Sequence, residues 1–213
     1  MKPVLIVVAG ANGAGKTSLT SKIVSHEWSR DCEYINPDNI ARDKFGDWNN
    51  PENSLKAANM ADALRKRLLY EGRSMTFETV LSMPDKLAFM REAKTQGYFV
   101  RFFYIGTNSP TINAGRVAQR MMEHGHHVPI QKIIERYPRS IANCVIGCKI
   151  ADRSYVYDNS GLPDEEKLIF RVSDGAAVKV YEKDLSVYAW AESVLARLSD
   201  PSQQSAPTFS IRR

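Results

Sequence analysis

Apolar and polar residues along this chain change period repeatedly, and each change marks a predicted element. Val4 to Ala9 is aliphatic without a polar break, the pattern of a strand buried on both faces of a sheet. Gly10 to Gly15 breaks it as a loop, and Lys16 to about Trp28 predicts a helix with Leu19 and Ile23 four apart. Glu33 to Ile35 predicts a short strand. Asn53 or Ser54 is placed to cap a long helix with the stripe Ala57, Met60, Ala61, Leu64 and Leu68, closed by Gly72. Met75 to Phe77 predicts a strand, Asp85 to about Thr95 a helix ended by Gly97, and Tyr98 to Ile105 a long aromatic and β-branched strand. Phe102, Phe103 and Tyr104 alternate faces there and read as core.

The second half continues the alternation. Ile112 to Met122 predicts a helix, followed by a His/Gly-rich turn. Pro129 then opens a helix with Ile130, Ile133, Ile134, Tyr137 and Ile141 three or four apart. Ser154 to Tyr157 and Leu168 to Val172 predict strands, and Val178 to Tyr181 a short one. Leu185 to Leu198 predicts a final amphipathic helix, and the Ser/Gln/Pro-rich segment from Ser199 a flexible tail. Strands alternate with helices and no linker or repeat intervenes. The expectation is α/β, a mainly parallel sheet flanked by helices, as one domain over 1–198 with a tail at 199–213.

Composition narrows the class. The chain has 213 residues, 43% hydrophobic and 25% charged, which suits a globular domain. No apolar run approaches the roughly 20 residues of a spanning helix, so no membrane partner is expected. The run from Pro3 to Ala9 behind Lys2 is short for a signal peptide and leads into a glycine loop. Cys32, Cys144 and Cys148 fit a reducing compartment, and the expected location is cytoplasmic. The net charge of +5 favours acidic partners. Lys and Arg are dispersed along the chain, and nucleic acid is not among the expected partners.

The chemistry concentrates at the first loop. Gly10, Gly15, Lys16 and Thr17 match the Walker A pattern G-x-x-x-x-G-K-S/T between a buried strand and a helix. Glycines let backbone N–H groups curl around phosphate oxygens, and the helix adds its positive dipole end. The candidate nucleotide set is therefore Gly10, Ala11, Asn12, Gly13, Ala14, Gly15, Lys16, Thr17 and Ser18. Lys16 would reach the β- and γ-phosphates, and Thr17 would ligate Mg²⁺. This makes the fold a P-loop NTPase of the nucleotide-kinase type.

Asp38 follows the second strand, at the sheet edge where such folds bind ligands. It is placed either to accept a hydroxyl proton or to cap the next short helix. Glu78 ends the third strand at the same edge, to bind acceptor hydroxyls or to help hold Mg²⁺.

These segments together resemble the zeta-toxin family of kinases. The shared marks are Gly10 to Ser18, Ile35 to Asp38, Phe77 to Thr79, Arg116 to Arg120, Gly125 to Pro129, and Tyr155 to Ser160, spanning about residues 3–173. The resemblance implies transfer of the γ-phosphoryl group of ATP or GTP to a sugar hydroxyl. It makes UDP-N-acetylglucosamine the first candidate acceptor and a protein antitoxin a possible partner. It also implies Lys16 as the phosphate lysine, Asp38 as general base, and Glu78 and Thr79 in the acceptor site. Arg42 and His126 complete the candidate acceptor set. His126 stands where larger members carry an arginine, and those members separate by a glycine the pair adjacent here as Glu78 and Thr79.

Arg116 and Arg120 share one helix face, and Arg136 and Arg139 share another, around the polar turn. Two such helices suit a lid at about 116–140, with Arg120 and Arg116 the candidate catalytic arginines. His124, His126 and His127 with Cys144 and Cys148 lack a zinc spacing, and the two cysteines read as core. Asp158 and Asn159 read as structural or as contacts at the nucleotide edge. The alternatives are a polynucleotide or nucleotide kinase, or a nucleotide-binding module without transfer. An ABC-type ATPase is set aside because the chain lacks a Leu-Ser-Gly-Gly signature.

Overall fold

The computed structural model describes residues 2–46, 50–122, 129–162 and 165–200. The His/Gly-rich turn with His126, and the tail from residue 201, lie outside the described residues. Seven strands form one sheet: β1 (Val4–Ala9), β2 (Glu33–Ile35), β3 (Met75–Thr79), β4 (Phe99–Gly106), β5 (Arg153–Asp158), β6 (Lys167–Ser173) and β7 (Ala177–Val180). Their order is β2-β3-β1-β4-β5-β6-β7. The first five run parallel, and β6 and β7 are added antiparallel.

The helices are α1 (Lys16–Val24), α2 (Pro37–Phe45), α3 (Pro51–Tyr70), α4 (Asp85–Thr95), α5 (Pro110–Met122), α6 (Ile130–Ile150) and α7 (Ala189–Ser199). One sheet face buries Leu5, Val7, Phe77, Phe102 and Tyr104 with residues of α3, α4, α6 and α7. The other buries Ile6, Val8, Phe103 and Ile105 with Leu19 and Ile23 of α1. Strand side chains alternate, so both faces of β1 are apolar, as its unbroken sequence requires. Among the described residues no helix is long and apolar enough to cross a membrane.

Several boundaries differ from the sequence pattern, each for a local reason. The first helix stops at Val24, and Glu27–Ser29 is a separate 3₁₀ turn. The buried Ser29 hydroxyl lies 2.7 Å from the Ile23 carbonyl and 2.9 Å from that of Val24, closing the α1 C-terminus. The long helix is capped by Asn50, whose side chain accepts from Glu52 N–H at 2.9 Å; neither Asn53 nor Ser54 caps it. Pro51 at the first helical position suits that earlier start. β3 extends through Glu78 and Thr79 because they pair with Val8 and Ala9 of β1. The last helix is a 3₁₀ turn, Leu185–Tyr188, followed by α7.

α6 departs most from the pattern. Ile130 and Ile134 of the expected apolar stripe are exposed, whereas Ile133 is buried. The helix runs through Pro138 and buries Ser140, Cys144, Val145, Gly147 and Cys148 in its second half. Both cysteines are core, and burial pushes the Cys144 thiol well above its usual range.

Candidate active site

The phosphate loop sits at the C-terminal end of β1, beside the point where the chain passes to opposite sides of the sheet. Its shape rests on contacts from three directions. Gly10 N–H donates to the Thr79 carbonyl at 3.2 Å, and Ala14 N–H to the Ala11 carbonyl at 3.1 Å. Asn159 Nδ2 donates to the Ala14 carbonyl at 2.9 Å. Gly15 has φ +101°, and a Cβ there would stand 2.3 Å from Asn159 Nδ2. Only glycine fits both demands. Gly10, Ala11 and Ala14 thus shape the loop from behind, while Gly13, Gly15, Lys16, Thr17 and Ser18 face a cavity of about 440 Å³.

Arg116, Gln119 and Arg120 of α5 form the opposite wall of that cavity. A second cavity, of about 240 Å³, adjoins it and shares Gly13, Lys16, Thr17 and Arg120. Its remaining wall includes Asn12, Asn36, Asp38, Glu78, Thr79 and Val80. Two chambers therefore meet across Lys16, Thr17 and Arg120.

Lys16 donates to the Ala11 carbonyl at 3.1 Å. Burial lowers its ammonium to about 8; Glu78 and Asp38 oppose this, and Arg120 adds to it. Thr17 Oγ1 donates to Glu78 Oε2 at 3.4 Å, and Tyr34 OH donates to Glu78 Oε1 at 2.7 Å. Asn36 Nδ2 in turn donates to Tyr34 OH at 2.9 Å. Burial and the Glu78 charge push the Tyr34 phenol far above its ordinary range, so it stays a donor. The sequence reading missed Tyr34 and Asn36. The available signal was a phenol on the strand that neighbours Glu78's strand, just before the Asp38 turn.

The capping reading of Asp38 does not hold. Asp38 lies in the first turn of α2, but Asn36 is the cap, accepting from Asp38 N–H at 2.8 Å. The Asp38 side chain is exposed and faces the smaller chamber. The Thr79 hydroxyl is engaged locally, accepting from Leu81 N–H at 3.0 Å. Arg42 is exposed and paired with Asp43 at 3.0 Å, outside both chamber linings, so the structure does not bring it to the acceptor set. His126 lies outside the described residues.

The arginines divide. Arg116 donates through one amine to the Asn159 carbonyl and through the other to the Gly161 carbonyl, each at 2.8 Å. Arg120, one turn on, is exposed to the chambers with no hydrogen bond or ion pair among the described residues. Arg136 and Arg139 line neither chamber. Asp158 is structural: it accepts from Trp190 Nε1 at 2.8 Å and from Ser160 N–H at 2.8 Å. Its neighbour Asn159 braces the loop.

The donor set suits Mg²⁺. A hydroxyl and a carboxylate oxygen, 3.4 Å apart below the loop, are hard ligands of the kind that hold it beside phosphates. Among the described residues no group of three His, Cys, Asp or Glu side chains is arranged to hold a metal on its own.

Sheet, loop and α5 wall define the P-loop kinase fold. The model of the zeta toxin family matches residues 1–161, and the chain belongs to that family. An uncharacterized protein of Haemophilus influenzae is 28% identical over 138 residues, 62% of this chain and 91% of that protein. A structure from the PezAT chromosomal toxin–antitoxin system of Streptococcus pneumoniae matches at 17% identity and TM-score 0.56, over 92% of this chain and 85% of that one. A chain of the AvrRxo1-ORF1:AvrRxo1-ORF2 complex, solved with sulphate ions, matches at 17% identity and TM-score 0.60. That match covers all of this chain and 66% of the other. The same complex was also solved with ATP, and there the match has TM-score 0.59 at 16% identity. At such identities the likeness is one of fold.

Proposed function

We propose that the protein transfers the γ-phosphoryl group of ATP or GTP to a hydroxyl of a sugar or nucleotide sugar, with UDP-N-acetylglucosamine the first acceptor to try. The observation that carries this reading is the meeting of two chambers at Lys16, Thr17 and Arg120, one walled by the phosphate loop and the other by Asp38 and Glu78. A nucleotide-binding module without transfer has no need of the second chamber. The fold shared with the ATP-bound AvrRxo1 complex supports ATP as the donor.

In this reading the loop amides and Lys16 hold the triphosphate with its γ-phosphorus toward the smaller chamber. Asp38 takes the proton from the acceptor hydroxyl as its oxygen bonds to the γ-phosphorus. The bond to the β–γ bridging oxygen breaks, and the nucleoside diphosphate leaves. Arg120 balances the charge on the transferring group. Arg116, held by two carbonyls, fixes α5 against the loop so that Arg120 faces the phosphates. Mg²⁺, held by Thr17 and Glu78, would neutralise β- and γ-oxygen charge when bound. A protein antitoxin is a proposed partner, by likeness to a toxin–antitoxin system.

Phosphorus NMR tests the reading, using the protein with Mg²⁺, ATP or GTP, and UDP-N-acetylglucosamine. A new sugar-phosphate resonance, absent in Lys16→Ala and Asp38→Asn, is expected. Release of inorganic phosphate alone would remove this acceptor. Turnover that Asp38→Asn leaves intact would remove the mechanism.

A further inference from the structure

The sheet is covered unequally. α3, α4, α6 and α7 close one face. On the other, α1 and the 3₁₀ turn cover β1, β4 and the β5 tyrosine Tyr155, on which Trp28 stacks, and Tyr157 packs at their margin; the outer side of β6 and β7 is left open among the described residues. Strand register gathers cations on this open side. Arg101 of β4 stands opposite Arg153 of β5, and Tyr155 opposite Arg171 of β6. Arg171 is in turn opposite Lys179 of β7. Paired residues share a face, so these side chains lie beside Phe103 and Tyr155.

Arg101, Arg153 and Arg171 each bury an Nε with no acceptor among the described residues. No carboxylate among those residues pairs with any of them. Like charges on adjacent strands repel, and no ion pair among the described residues offsets them. Aromatic rings interleave with the cations. The Arg101 guanidinium lies 4.6 Å from the Trp28 ring centre and 4.9 Å from that of Phe99. Tyr155 stacks on Phe103 at 4.9 Å and 11°. Tyr157, two residues on, is half-buried on the same side, and Tyr181 is exposed beside Lys179.

We propose that this face binds single-stranded nucleic acid, with phosphates at Arg153, Arg171 and Lys179 and bases along Tyr157 and Tyr181. The proposed phosphate cations spread over three adjacent strands, β5, β6 and β7, which suits an extended polyanion. The half-buried Tyr157 and the exposed Tyr181 supply stacking surfaces that an acidic peptide does not require. The expectation that nucleic acid is not a partner rested on dispersed Lys and Arg; the register of the sheet brings them together. The proposal is independent of the phosphotransfer reading.

The test is fluorescence anisotropy of a labelled 12-nucleotide single-stranded RNA, with the full chain as titrant. Arg153→Gln with Arg171→Gln is expected to weaken binding at least about tenfold and to lower the salt slope by about 1.4. Lys66→Gln with Arg91→Gln, removing equal charge elsewhere, changes affinity less than about twofold, and so does Lys16→Ala. Arg153→Lys with Arg171→Lys keeps the charge and still loses affinity, because a guanidinium fork is lost. Equal losses in both glutamine pairs, loss in Lys16→Ala alone, or equal competition by polyglutamate of matched charge would each overturn the assignment. Circular dichroism melts of every variant confirm that it is folded.

Discussion

At the scale of single residues, Lys16 is where a proton and the nucleotide are linked. Its ammonium sits near 8 in the free protein because burial strips its hydration. Phosphate oxygens favour the charged form, so nucleotide binding above pH 8 takes up a proton. Calorimetry in two buffers of different ionisation heat is expected to show uptake that grows from about pH 7 to about pH 9 and vanishes in Lys16→Met. Affinity should fall about tenfold per pH unit above 8. For the free protein the sign is opposite. The folded value lies below the ordinary 10.5, so the buried charge costs stability below pH 8, and that cost is released as pH rises toward 10.5. Tyr34 is the second residue to test. Tyr34→Phe keeps the ring and removes the donor to Glu78. A hydrogen bond to a charged group contributes about 1.5–3 kcal/mol to stability, so the melting temperature is expected to fall by several degrees, and kcat about tenfold or more because Glu78 is no longer held. Steady-state kinetics that show only a raised KM for nucleotide would contradict this role.

At the scale of elements, α6 joins the packing to the site. Gly147 on its buried face lets Phe102 of β4 lie against the helix, and a Cβ there would be 2.7 Å from the ring. Gly147→Ala is expected to cost about 1–3 kcal/mol by overpacking, seen as a melting temperature lower by several degrees. The same helix holds the loop after β3, where Ser140 Oγ donates to the Val80 carbonyl at 2.7 Å and Asn143 Nδ2 to the Leu81 carbonyl at 2.8 Å. Elements were legible in sequence where one pattern dominates, as in β1 with its Walker loop and in the uniformly apolar β4. They were misjudged where a single side chain decides, as with Ser29 closing α1 or Asn50 capping α3. Asp38, Glu78 and Arg120 were singled out because their residue types suit phosphoryl transfer, and the structure places all three on the smaller chamber. Tyr34 was missed because its role exists only through a neighbouring strand. Arg42 was overassigned because one turn of helix carries it to Asp43 and away from the chamber.

At the scale of the whole molecule, one sheet serves two surfaces. Its C-terminal edge carries the phosphate loop and both chambers, and its open flat side carries the arginines. The two share no hydrogen bond or ion pair among the described residues, so changes at them should combine additively within about 0.5 kcal/mol. Arg153→Gln with Arg171→Gln is therefore expected to leave the nucleotide dissociation constant within about twofold of the parent, by calorimetry. The positions of two tryptophans make the separation visible. Trp190 is 6% exposed, packs against Gly106 and donates to Asp158, next to the asparagine that braces the loop. Trp28 lies at the margin of the open side, against Arg101 and Tyr155. With Trp48 replaced by phenylalanine, each remaining indole becomes an intrinsic optical reporter for one surface. Stopped-flow emission from Trp28→Phe then times events at the nucleotide edge, and emission from Trp190→Phe times those on the sheet, without any attached dye.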